Sequence, residues 1–145
     1  MGSAVFRPDV IVQGVDRPQL RLAVEIRRNE VHMEEASRRL RHYMHEEACP
    51  LGLLVTPEWT RFYRETYSDA PDSIRELAVV ETSRLLHVSR TIVDDSDLER
   101  TVLKWLKTML RQSGSASHRK QPVSWVEEQL LPALVDAEVM VAGPR

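Results

Sequence analysis

A single α+β domain with a mixed β-sheet and flanking helices is the fold class that the sequence predicts. Three observations lead there. Two strand-like runs open the chain. A helix of regular apolar period separates them from two further extended runs, and helical patterns dominate the second half. The 145 residues suit one domain and are too few for two ordinary ones.

The first run, "PDVIVQG", sets β-branched Val10, Ile11 and Val12 between Pro8 and Gly14. "VDRP" at 15–18 has turn chemistry. "QLRLAVEIR" then alternates. Leu20, Leu22, Val24 and Ile26 are expected on one face, and Arg21, Ala23, Glu25 and Arg27 on the other. A short turn between two strands predicts an antiparallel hairpin.

In "VHMEEASRRLRHYMHEEA", Met33, Ala36, Leu40 and the Tyr43–Met44 pair recur at helical spacing, so one stripe faces the core. Glu34 with Arg38 and Glu35 with Arg39 are acid-first i,i+4 pairs. The apolar run "CPLGLLVT" suits a central strand covered on both faces. "PEW" turns it into "TRFYRE", the second strand of another hairpin.

"SDAPDS" is a loop, and "IRELAVVETSRLLHV" fits either a short helix or extended pieces. "SDLERTVLKWLKTMLRQ" is a helix with Ser96 and Glu99 as a capping box and Leu98, Val102, Trp105, Leu106 and Met109 as its stripe. "SGSAS" at 113–117 reads as a linker, followed by the basic "HRKQP". Ser124 and Glu127 offer a second capping box, Pro132 should stop or kink that helix, and "EVMVAGP" suits an edge strand. Residues 1–145 are thus expected to form one domain, with its motif core at 7–65. Residues 66–145 make a mainly helical part with a short final strand.

A formal charge of −2 argues against general coating of nucleic acid, though it leaves room for a local basic cleft. Cys49 is the single cysteine, so it has no partner for an internal disulfide, which fits a reducing compartment. No apolar run approaches the roughly 20 residues of a membrane span, and the start lacks a signal-peptide pattern. A soluble, cytoplasmic protein with no membrane association is expected.

Asp9 opens the first strand and Glu25 lies near the end of the second. A hairpin closing at 14–18 brings both carboxylates to one end of the sheet. Two hard oxygen ligands with a backbone carbonyl such as that of Ile26 suit Mg²⁺. Arg27 projects from the same face as Glu25, because the strand period is two.

"RPDVIV" followed by "LAVEIR" resembles the PD-(D/E)xK nuclease superfamily, notably the N-terminal nuclease domain of type I restriction enzyme R subunits. "RRLRHYM" and "PLGLLVT" continue the likeness over roughly residues 7 to 65. The resemblance implies a restriction-endonuclease-like mixed sheet flanked by helices. It implies Mg²⁺ or Mn²⁺ held by Asp9 and Glu25, with Asp9, Glu25 and Arg27 catalytic, and DNA as the partner. Arg39 and Tyr43 take the supporting or nucleic-acid-binding places.

Three departures accompany it. Arg27 stands where the family has lysine, and arginine stays charged and cannot serve as a base. Arg39 stands where some members carry glutamine. The family fold begins with a helix and a strand, whereas eight residues precede Asp9. The expectation is a version lacking those elements, or one completed by another chain.

Other roles fit the same residues. Asp9 suits a strand-start residue, Glu25 and Arg27 a solvated strand face, Arg39 a surface partner of Glu35, and Tyr43 a core-edge aromatic. His42 and His45 read as surface histidines rather than a zinc pair. Three functions remain open: a metal-dependent nuclease, an inactive nucleic-acid-binding or protein-interaction module of the same fold, and a small oligomeric structural protein. A homodimer or a larger partner subunit accompanies the last two.

Overall fold

The computed structural model describes residues 6–28, 31–68, 73–89, 95–113 and 124–142, with side chains from residue 97 in the fourth segment. Strands β1 (Val10–Gly14) and β2 (Leu20–Ile26) form the expected antiparallel hairpin. Helix α1 (Met33–Glu46) then crosses over to β3 (Leu51–Val55), which runs parallel to β2. Strands β4 (Trp59–Glu65) and β5 (Ile74–Glu81) continue antiparallel. After α2 (Thr82–Leu85), α3 (Asp95–Ser113), α4 (Trp125–Leu130) and a 3-10 turn (Leu131–Leu134), β6 (Ala137–Val141) pairs antiparallel with β1. The resulting six-stranded mixed sheet has the order β5-β4-β3-β2-β1-β6.

Helices cover both faces of the sheet. On one, Met33, Ala36, Leu40 and Met44 of α1 pack with Ala23, Leu54 and Tyr63. A Cβ on Gly52 would lie 2.5 Å from Met44 Sδ, so glycine is what lets α1 settle this closely on β3. On the other face, the stripe Leu98, Val102, Trp105, Leu106 and Met109 of α3 packs on Val10, Val12, Leu22, Val24, Leu53 and Phe62. Both faces of β3 are buried, as its unbroken apolar run predicts.

Three local expectations change. The alternation of β2 fails at its start, because Val12 pairs with Leu22 but Gln13 with Leu20. The extra residue is Arg21, and a bulge of this kind reverses the faces of the residues before it. Leu20 joins the α1 side, while Arg21 donates to the carbonyls of Ala133 (3.2 Å) and Val135 at the 3-10 turn. A Cβ on Gly14 would meet the Arg21 guanidinium at 2.9 Å, so glycine makes room for it.

The undecided segment after residue 73 resolves into both alternatives, strand β5 and then the short α2. The second half therefore supplies both edge strands and is less helical than expected. Helix α3 starts at Asp95, so Ser96 lies inside its first turn rather than at the N-cap; its side chain is outside the described residues. The capping box of Ser124 and Glu127 forms as expected, and the α-helix ends at Leu130 with Pro132 in the 3-10 turn. Most of the "SDAPDS" loop and the 114–123 segment, with all of "HRKQP", lie outside the described residues.

Candidate functional site

The hairpin register decides the placement of the two acids. Val10 faces Val24 and Ile11 faces Ala23, and Asp9 is the bend residue just before β1, beside the end of β2. Ala23 lies on the α1 side, and Glu25, two residues on, lies there too. Asp9 and Glu25 thus belong to the same end of the sheet, the end of β2 from which the chain enters α1.

Asp9 is held by its neighbours. Its Oδ2 accepts the Ile26 N–H at 2.7 Å, and its carbonyl accepts the Ala142 N–H at 2.9 Å just beyond β6. The carboxylate substitutes for a backbone acceptor where the β1–β2 ladder ends. It is therefore a strand-end residue, bonded to the backbone of the residue after Glu25.

Glu25 is 1% exposed, which overturns a solvated strand face. Arg27 Nε lies 3.2 Å from Glu25 Oε2, while the Arg27 side chain is 37% exposed. The contact is an ion pair without hydrogen-bond alignment, since Arg27 Nε has no hydrogen-bond acceptor among the described residues. The Arg27 N–H donates to the Val55 carbonyl at 2.8 Å, which extends the parallel ladder and fixes the base of the side chain. At the same sheet end a threonine group secures the β3–β4 turn. Thr82 Oγ1 donates to the Thr56 carbonyl at 2.7 Å and lies 2.8 Å from Thr60 Oγ1.

Asp9, Glu25 and Arg27 are thus gathered, whereas Arg39 and Tyr43 take other places. Arg39 is on the exposed side of α1, donating to Glu35 at 2.6 Å. Tyr43 is half-buried near the C-terminal end of α1, edge-on to Phe6 with ring centroids 5.9 Å apart. Burial raises its hydroxyl pKa. His42 and His45 are exposed.

Two carboxylates and a nearby carbonyl fit a hard cation such as Mg²⁺, which commonly uses one or two carboxylates and completes its shell with water. Glu25 would have to release or share its contact with Arg27. Among the described residues there is no cluster of three or more His, Cys, Asp and Glu side chains suited to a metal.

A second polar centre escaped sequence reasoning. Glu127, 3% exposed, receives Trp105 Nε1 at 3.1 Å and the Ser124 N–H at 3.1 Å, with His87 Nε2 3.0 Å from its Oε2. Burial alone would raise its pKa, but hydrogen bonds from His87, Ser124 and Trp105 hold it below the usual glutamate range. The group borders a cavity of about 240 Å³ between α3 and the α2 exit, lined also by Leu86, Lys104 and Met109. Its sequence signal was the capping box alone; His87 and Trp105 join from 40 and 22 residues away.

Comparison with known proteins finds no matching family model, no similar curated protein and no similar solved structure. No helix among the described residues is long and apolar enough to cross a membrane.

Proposed function

We propose that this domain is a PD-(D/E)xK-type, restriction-endonuclease-like phosphodiesterase that acts on DNA in the cytoplasm. The observation that supports this reading is the placement of Asp9 at the end of β2 that carries Glu25, its carboxylate bonded to the Ile26 N–H, with Arg27 beside Glu25. Asp9, Glu25 and the Ile26 carbonyl would hold Mg²⁺ or Mn²⁺. When bound, such a cation polarises a phosphoryl oxygen and lowers the pKa of a bound water. Arg27 stays cationic and stabilises charge developing on the phosphate, without serving as a base.

The Glu25–Arg27 contact favours a second reading, an inactive descendant that binds nucleic acid or protein through the same face. The test is nicking of supercoiled plasmid with Mg²⁺ or Mn²⁺. The active reading expects cutting that Asp9→Ala and Glu25→Ala each abolish. No cutting, together with no heat on titration of either metal, rejects it. DNA affinity that falls with salt but comes without cutting identifies the inactive binder. Light scattering reports whether a homodimer or a larger assembly accompanies either.

A further inference from the structure

Glu25 pairs in register with Leu54 of β3, and Leu54 with Arg61 of β4. Arg61 therefore occupies the same cross-sheet row and face as Glu25, two strands away, about 10 Å at ordinary strand spacing. Two residues further along β4, buried Tyr63 donates its hydroxyl to Ser37 of α1 at 2.8 Å. Arg41 follows Ser37 by one helical turn, so it overhangs the same place and leans back towards it. Burial raises the Tyr63 pKa, the Ser37 bond lowers it, and Glu76 raises it against the lowering fields of Arg61 and Arg41. Both guanidinium groups thus act on one buried phenol.

The charges in this group do not balance. Arg61 lies 3.4 Å from Glu76, its side chain 29% exposed. Arg41 Nε is buried and has no hydrogen-bond acceptor among the described residues. A buried donor without a partner is unfavourable, and a phosphate oxygen is a strong acceptor for a guanidinium fork.

We infer that Arg41 and Arg61 form a phosphate subsite over the Tyr63–Ser37 floor, holding a nucleic-acid phosphate near the one at Asp9 and Glu25. The inference rests on the phosphodiester reading above and deepens it by naming what grips the flanking strand. Glu76 screens part of the positive charge, which keeps the subsite weak for free anions and dependent on a polyanion.

The test is fluorescence anisotropy of a labelled single-stranded DNA oligonucleotide at several salt concentrations, in EDTA so that nothing is cut. Arg41→Gln and Arg61→Gln should each flatten the plot of log affinity against log salt by about 0.7, the contribution of one phosphate contact on single strands. Arg61→Lys should restore the slope, which a merely structural arginine would not require, and melting curves of all variants should overlay. Unchanged slopes in both Gln variants overturn the subsite, as does wild-type binding that is absent or independent of salt. Plasmid nicking judges the hydrolase reading separately: cutting with unchanged slopes removes the subsite alone, and slope losses without cutting keep the subsite on an inactive binder.

Discussion

Arg27 Nε lies 3.2 Å from Glu25 Oε2, and that glutamate is almost wholly buried. An ionised carboxylate on a central strand is costly unless a countercharge compensates it. The two-residue strand period delivers that charge from the same strand, with its outer part in water. The pair explains why a sheet-centre strand ends in Glu-Ile-Arg.

Removing the arginine should take one compensating charge away from this buried carboxylate. Arg27→Ala is expected to lose about 1–3 kcal/mol in urea unfolding, below the fully buried case because water reaches Arg27. Arg27→Lys restores a residue that can lose its proton, and nicking by this variant should rise about 10²-fold over wild type. An unchanged or lower rate would show that the arginine is not the defect.

Asp9 has a structural bond that separates two of its roles. Asp9→Ala strands the Ile26 N–H and should cost about 1–2 kcal/mol. Asp9→Asn keeps an acceptor oxygen, so its melting temperature should stay near wild type while the heat of Mg²⁺ or Mn²⁺ binding disappears. Equal metal heats for Asn and wild type would remove Asp9 from the cation site.

Glu127 should make the protein acid-sensitive. Its folded pKa is depressed, so the native state binds the proton less tightly than the unfolded chain does. The stability it contributes is present above the ordinary glutamate pKa and is lost as pH falls through the folded value. Glu127→Gln should flatten that part of the pH–stability curve; a slope identical to wild type would contradict this.

Cys49 should be inert in the folded protein. Burial pushes its thiol up to about 12, and its S–H donates to the Leu51 carbonyl at 3.4 Å. Iodoacetamide at neutral pH should label it only after denaturant is added. Rapid labelling of the native chain would show that the α1–β3 corner opens readily.

Much of the candidate site could be read along the chain because a short hairpin has simple arithmetic. Pairing Val10 with Val24 brings Asp9 to the end of β2 that carries Glu25. The bulge at Arg21 could not be read that way, since its partners at Ala133 and Val135 lie more than a hundred residues distant. Strand β5 was illegible for another reason. An edge strand with little burial lacks the alternation that separates strand from helix.

Local periodicity by itself determined the opening hairpin, the apolar stripes of α1 and α3, the fully covered β3 and the break at Pro132, because those signals depend on near neighbours. Tertiary structure alone decided that Glu25 would be buried beside a half-exposed Arg27. It also decided that both sheet edges would come from the second half, and that His87 and Trp105 would converge on Glu127. Burial and the contacts of His87 and Trp105 with Glu127 arise between segments distant in the chain, and no short window of sequence contains both partners.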